Sequence, residues 1–252
     1  MCGITGIKAF NEIGRFFMIN NAKSTLSLEH RGPDSQGLYL DDLVFLGHRR
    51  LSIQDTSSLG NQPMKSDDEQ FVIAYNGEVY NFKELRQQLT QKGYSFKSES
   101  DTEVILKLYQ DEGVSCFDKL NGFFGLAIYN KANNEVIIAR DRYGIKPLYY
   151  FLDEDKFAFA SEIRSLMAYN IPKEINQVGL TQYFQFNYIP EPQTIYRNIF
   201  ALEQGHYLKI KGNQSQKPVS YITSTQTEHS VSNYGQAKEK LQELLLKSVE
   251  YR

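Results

Sequence analysis

The sequence predicts an α+β fold in which two antiparallel sheets are covered by helices. Three observations carry this expectation. Strand-like segments crowd both ends of the first 160 residues, and two amphipathic helical segments lie between them. The later strands are short and separated by turn residues, Lys131-Ala132-Asn133-Asn134 and Asp153-Glu154-Asp155, as sequential antiparallel strands require. The aromatic residues are 17 Tyr and 16 Phe with no Trp, types that favour a pleated, half-buried surface.

The elements follow in order. Residues 3–10 read as a strand, apolar at Ile4, Ile7 and Phe10. Residues 18–29 read as a weak helix, followed by a turn at His30-Arg31-Gly32-Pro33-Asp34. Strands are expected near 36–40, 43–53 and 70–75, the last ending at Asn76-Gly77, a pair that alone reads as a hairpin turn. A helix is expected over about 82–92: Asn81 can cap it, Glu84 follows three residues on, and Phe82, Leu85 and Leu89 share a face before Gly93. A second helix begins after Ser100-Asp101, with Val104, Ile105, Leu108 and Tyr109 as its apolar stripe and Gly113 at its end. Asp101 alone reads as its N-cap. Strands at about 123–129, 135–140, 147–152 and 156–160 complete this part.

After Ala168 the texture changes. Pro172, Pro190 and Pro192 punctuate a stretch containing Tyr183, Phe184, Phe186, Tyr188 and Tyr196, and residues 213–233 are rich in Ser, Thr, Gln and Asn. A final helix is expected from 233 to 252, with Ala237, Leu241, Leu244, Leu245 and Ser248 on one face. The division expected is a complete domain over 1–170, a connector over 171–232 and the first helix of a further domain over 233–252. At roughly 150 residues per domain, a chain of this length holds about 1.7 domains.

Composition narrows the function. Hydrophobic residues at 41% exclude a disordered chain. A net charge of -2 excludes a nucleic-acid binder that works by bulk charge. No run approaches the roughly 18 apolar residues of a membrane span. The opening Met1-Cys2-Gly3-Ile4-Thr5-Gly6-Ile7 reaches Lys8 at once, unlike a secretory signal. Cys2 and Cys116 make no disulfide scaffold, so a reduced, cytoplasmic protein is the default expectation. Cys116, beside Phe117 and Leu120, reads as core. The four histidines, 30, 48, 206 and 229, lack ligand spacing, and no Gly-x4-Gly-Lys-Ser/Thr loop occurs. Neither a metal site nor a cofactor is expected in this domain.

Cys2 is the residue with the clearest chemical potential. Removal of Met1 would leave a free α-amine on the cysteine itself. A thiol titrates near 8.5 and an α-amine near 7.7–8.0, so the amine can serve as base toward its own thiol. A small residue at a frayed terminus is the plain alternative.

Other segments alter that balance. Met1-Cys2-Gly3-Ile4-Thr5-Gly6, His30-Arg31-Gly32-Pro33-Asp34, His48-Arg49-Arg50-Leu51-Ser52-Ile53 and Tyr75-Asn76-Gly77-Glu78-Val79-Tyr80-Asn81 appear in order. Ser100-Asp101-Thr102-Glu103, Asn121-Gly122-Phe123-Phe124, Arg140-Asp141-Arg142-Tyr143-Gly144-Ile145-Lys146-Pro147-Leu148-Tyr149 and Ser161-Glu162-Ile163 follow. Together they resemble the class II glutamine amidotransferases, and most closely the glutaminase domain of glutamine-dependent asparagine synthetases. The resemblance is strong over 1–170 and loose over 171–252.

That resemblance implies a four-layer αββα sandwich of the N-terminal-nucleophile hydrolase type. It implies that Cys2 attacks the side-chain amide of L-glutamine, giving L-glutamate and ammonia through a thioester. Asn76 and Gly77 would form the oxyanion hole, Arg50 would take the α-carboxylate, and Asp101, with Glu78, the α-ammonium. The backbone at Ile53 and Gln54 would touch the substrate. Arg31, Pro33 and Asp34 read as supports, and Asp141 with Arg142 as a buried network. Arg49 is a basic residue at a position that is often not basic in the family.

The resemblance also implies partners. The chain lacks a Ser-Gly-Gly-x-Asp-Ser pyrophosphate loop, so a Mg-ATP-binding synthetase domain that uses the ammonia to make asparagine from aspartate is expected beyond it. A homodimer is left open. Two other readings stand beside this one: a related synthetase amidating a different carboxylate, and a non-catalytic glutamine-binding or assembly module.

Overall fold

The structure, a computed structural model, describes residues 1–53, 55–223 and 233–251. In chain order it runs β1 (Gly3–Ala9), α1 (Glu12–Phe17), α2 (Asn21–Leu26), β2 (Ser35–Leu40), β3 (Val44–Arg50), β4 (Met64–Lys65) and β5 (Phe71–Val79). Next come α3 (Phe82–Gln91), α4 (Asp101–Glu112), β6 (Gly122–Asn130), β7 (Glu135–Arg140), β8 (Tyr149–Leu152), β9 (Lys156–Ala160) and α5 (Ile163–Leu166). The last elements are α6 (Gln177–Phe186), β10 (Ile199–Ala201), β11 (His206–Lys211), β12 (Gln214–Ser215), β13 (Val219–Ser220) and α7 (Tyr234–Glu250).

Two antiparallel sheets result. The first has the order β10-β8-β9-β1-β3-β2, and the second β12-β11-β7-β6-β5-β4, with β13 also on β11. Strand alternation shows how they stack. Ile4 of β1 and Leu46 of β3 meet Val72, Ala74, Ala127 and Ile138 of the second sheet in the central layer. The neighbouring Ile7 and Phe45 face outward and are covered by Met18, Leu166 and Tyr169. On the far side, Ile73 and Tyr75 of β5 are covered by Leu85 and Leu89 of α3 and Val104 and Leu108 of α4. The expected αββα sandwich is present.

Several local expectations change. The weak helix expected over 18–29 is broken into α1, a tight turn over Met18–Asn20, and α2. Asn76-Gly77 is no hairpin turn. Both residues lie inside β5, with Asn76 opposite Gly125 and Gly77 opposite Phe124. A Cβ at Gly77 would sit 2.3 Å from the Phe123 carbonyl oxygen, so the glycine serves close strand approach. Asn81 occupies the α3 cap position but caps nothing. Its side chain donates to Lys119 O at 3.0 Å and accepts from Asn121 N at 2.9 Å, tying down the approach to β6. Ser100, rather than Asp101, caps α4, its Oγ accepting from Thr102 N at 3.1 Å.

The sandwich also runs past residue 170. Within the expected connector, β10 pairs with β8, and β11 pairs with β7 from Tyr207↔Ala139 to Lys211↔Glu135. Leu202, Leu208 and Ile210 enter the central layer. Those apolar side chains, sparse in sequence, gain their burial from strands laid down some 50 to 75 residues earlier. Residues 224–232 of the connector lie outside the described residues. Helix α7 buries none of its side chains.

Asp141 and Arg142 do not share a network. Asp141 is fully buried. It accepts from the amides of Phe124, Tyr143, Ile145 and Lys146 at 3.0–3.2 Å. Arg142 instead pairs with Asp118 at 2.6 Å near the surface. Cys116 is core, as expected.

Candidate active site

The pleat explains why distant motifs converge. On β3, His48 and Arg50 share the inward face with Val44 and Leu46, so Arg49 faces outward. The contacts agree. Arg49 donates to Gly32 O at 2.9 Å and Gln36 Oε1 at 3.1 Å, and pairs with Glu29 at 3.2 Å. Arg50 turns the other way. Its guanidinium donates to Ser57 O at 2.9 Å, Asn61 Oδ1 at 2.8 Å and Asp55 O. On β5, Asn76 likewise shares the inward face with Val72 and Ala74. Cys2 precedes β1 one alternation before inward-facing Ile4.

Cys2, Arg50 and Asn76 meet at one end of the sandwich. A single cavity there is lined by Cys2, Arg50, Ile53, Asn76, Gly77, Glu78 and Asp101. Every expected site residue that the structure describes is thus brought together; Gln54 lies outside the described residues. Ile53 sits at the open rim, 69% exposed.

Cys2 Sγ faces the backbone of Leu51, with the Leu51 N–H at 3.4 Å and the Leu51 carbonyl at 3.6 Å. Arg31 donates to the Cys2 carbonyl at 2.9 Å and pairs with Glu162 at 3.1 Å. Asp34 accepts the Ser52 N–H at 2.7 Å. These contacts give the expected support residues their physical content, since they hold the backbone on either side of the thiol.

Two donors lie near that thiol in the cavity. Asn76 is 1% exposed, and its Nδ2 has no hydrogen-bond partner among the described residues. An orphaned buried donor costs about 1–3 kcal/mol, a strain tolerated where a ligand supplies the acceptor. Gly77 offers its backbone N–H by register. Its partner Phe124 spends both backbone groups on Asp141, so Gly77 points its own groups away from β6. On that same edge Tyr75 N donates to Gln62 Oε1 at 2.7 Å, and Val79 N to Asp101 Oδ2 at 3.0 Å. Gly77 N–H lies between them, beyond the last β4 pair, at the cavity wall.

Residues 1–222 match a family described as a glutamine amidotransferase domain. The chain belongs to that family. It is 44% identical over 182 residues to asparagine synthetase (glutamine-hydrolyzing) 1 of Bacillus subtilis, covering 72% of this chain and 29% of that protein. It is 37% identical over 224 residues to a putative asparagine synthetase (glutamine-hydrolyzing) 2 of Methanocaldococcus jannaschii, covering 81% of this chain and 42% of that protein. The chain therefore spans less than half the length of these relatives. A solved glutamine phosphoribosylpyrophosphate amidotransferase from B. subtilis, complexed with ADP and GMP, shares the fold: TM-score 0.65, 21% identity, 88% of this chain and 50% of that chain.

The electrostatics of this amidotransferase domain are set mainly by burial. Burial pushes the Cys2 thiol up, while the Leu51 N–H, the chain's α-amine and Arg50 pull it down. Burial also lowers the Met1 α-amine, which favours its neutral form beside the thiol. Asp101, 5% exposed, is pushed up to about 6 by burial, against the pull of Val79 N–H and Tyr75 Oη. His48, fully buried behind Arg50, is pushed down to about 4 and is neutral.

Tyr75, Gln62 and Lys146 are among the wall residues of the amidotransferase cavity that the sequence missed. Tyr75 opens the Tyr75–Asn81 motif, but its hydroxyl's reach to Asp101 depends on α4 packing across β5. Gln62 lies in an irregular segment with no periodicity. Lys146 is carried in by the loop that Asp141 organises.

Proposed function

We propose that this domain hydrolyses L-glutamine to L-glutamate and ammonia, with Cys2 as the nucleophile once Met1 is removed. The observation that carries the reading is the meeting, in one cavity, of the Cys2 thiol with Asn76 Nδ2, which has no hydrogen-bond partner among the described residues, and with Gly77. The α-amine left on Cys2 takes the thiol proton, and sulfur bonds to the glutamine side-chain carbonyl carbon. The carbonyl oxygen becomes an oxyanion facing Asn76 and Gly77, which is where preorganised donors lower a barrier most. Collapse breaks the C–N bond, the amine returns its proton to the leaving nitrogen, and ammonia departs. Water then hydrolyses the thioester and releases glutamate.

Arg50 takes the α-carboxylate, and Asp101 with Glu78 the α-ammonium; Ile53 flanks the rim. The names of the curated relatives, asparagine synthetases that are glutamine-hydrolyzing, support a larger assignment. In a longer protein the ammonia feeds ATP-dependent amidation of aspartate, in the cytoplasm. The described residues contain no group of three or more His, Cys, Asp or Glu able to hold a metal ion. Mg-ATP belongs, in this proposal, to the synthetase half of that longer protein.

Glutamate release from glutamine tests the reading. Activity is expected in the protein with Met1 removed and not in Cys2→Ala. Equal release by both would overturn it, as would full activity with Met1 retained.

A further inference from the structure

Tyr75 sits where the second sheet loses its edge strand. β4 pairs only at Met64↔Ile73 and Lys65↔Val72, so among the described residues no strand continues beside Tyr75. Two side chains take the place of that strand. Gln62 Oε1 accepts the Tyr75 N–H at 2.7 Å, and His48 Nε2 lies 3.0 Å from the Tyr75 carbonyl. Because the Tyr75 N–H can only donate, the Gln62 carboxamide has one orientation, and its Nε2 is directed to Thr102 Oγ1 at 3.2 Å. Thr102 lies in the first turn of α4, beside Asp101.

One buried carboxamide thus bridges the strand that carries Asn76 and Gly77 to the helix that carries Asp101. Its backbone is fixed as well: a Cβ on Gly37 of β2 would lie 1.8 Å from the Gln62 carbonyl oxygen, a contact that only glycine permits. A glutamate would keep the bridge only by turning the Thr102 hydroxyl from acceptor to donor. It would lose the donor to Thr102 and place a second anion near Asp101.

We infer that Gln62 is a positioning residue for the amide hydrolysis, acting through Tyr75 to hold the Asn76 and Gly77 donors in register with Cys2. The inference rests on the proposed glutaminase reading and adds to it a residue outside the nucleophile, oxyanion and substrate-charge sets. Displacing such donors by about 1 Å can cost on the order of 100-fold in rate. Asp101 keeps its own bonds to Tyr75 Oη and Val79 N–H without Gln62, so ground-state binding is held separately.

The test compares steady-state glutamate release by the wild type, Cys2→Ala, Gln62→Met, Thr102→Val and the Gln62→Met/Thr102→Val double variant. Gln62→Met keeps the length of the side chain and loses both hydrogen bonds. Its kcat is expected to fall about 10- to 100-fold with KM changed less than about threefold. Thr102→Val should lose less, and the double variant should match Gln62→Met within about twofold, because both act on one bridge. If Gln62→Met fails to fold, Gln62→Glu serves in its place and is expected to lose at least as much kcat as Thr102→Val. Unchanged kcat in the Gln62 variant, a loss confined to KM, or losses that multiply in the double variant would overturn the inference alone. A wild type that releases no glutamate, or is matched by Cys2→Ala, would overturn the glutaminase reading and the inference together.

Discussion

Tyr75 Oη donates to Asp101 Oδ2 at 2.7 Å, and the same carboxylate oxygen accepts the Val79 N–H at 3.0 Å. Even with these donors, burial holds Asp101 at about 6. Only the ionised form attracts an α-ammonium group. The sign follows: as pH falls through about 6, Asp101 becomes neutral and glutamine binding weakens. We expect KM to rise below that pH by about tenfold per unit while kcat changes less. Tyr75→Phe removes a donor that favours the carboxylate, so its limb should move to higher pH. A pH–rate profile checks both, and a limb that moves to lower pH in Tyr75→Phe contradicts the assignment.

The same carboxylate weakens the fold at neutral pH. Its folded value of about 6 lies above the ordinary 3.8. Above pH 6 it is ionised in both states and its burial is fully unfavourable, by about 3 kcal/mol at most; below 3.8 the penalty is gone. His48 has the opposite sign. Its folded value of about 4 lies below 6.5, so stability is lost as pH falls between those values and the unfolded chain takes up the proton. Asp101→Asn should therefore melt higher than wild type at pH 7.5, and the difference should vanish by about pH 4. Thermal melts across that range check this, and an equal shift at both ends would contradict it.

Asn76 and Gly77 should fail in different ways. Asn76→Ala removes one oxyanion donor and also the buried amide that lacks a partner, so kcat should fall roughly 100- to 1,000-fold with little loss of stability. Gly77→Ala places a Cβ 2.3 Å from the Phe123 carbonyl in the paired strand. It should lose both activity and melting temperature. Kinetics and thermal melts on the two variants separate these outcomes, and a stable Gly77→Ala protein would contradict the packing argument.

The parts of this design that sequence could reveal were those written locally. The inward positions of Cys2, Arg50 and Asn76 each follow from the two-residue period of a strand, and their motifs keep that period. Asn76-Gly77 misled as a dipeptide because its local turn preference is overridden by nine residues of pairing between β5 and β6. The strands β10 and β11 were hidden because their partners, β8 and β7, lie some 50 to 75 residues away. Gln62 left no trace, since its meaning depends on Tyr75 and Thr102, which lie 13 and 40 residues away in the chain.

The adjacent arginines of β3 give the sharpest contrast. Arg50 faces the cavity, and its guanidinium also fastens the backbone at Ser57 and the side chain of Asn61. Arg50→Lys keeps the charge but not the planar fork that holds Ser57 O, Asn61 and Asp55 O in place, so KM for glutamine should rise about tenfold. Arg49 faces the other way and holds Gly32 O, Gln36 and Glu29 together behind the turn that carries Arg31. Arg49→Ala should lower the melting temperature, because buried hydrogen-bonded groups lose their partner, by about 1–3 kcal/mol. Its KM should stay within about threefold of wild type, since no part of Arg49 lines the cavity. Parallel kinetics and melts on the two variants decide the matter: a KM effect at Arg49 equal to that at Arg50 would mean that the strand's two faces do not divide support from binding as the pleat requires.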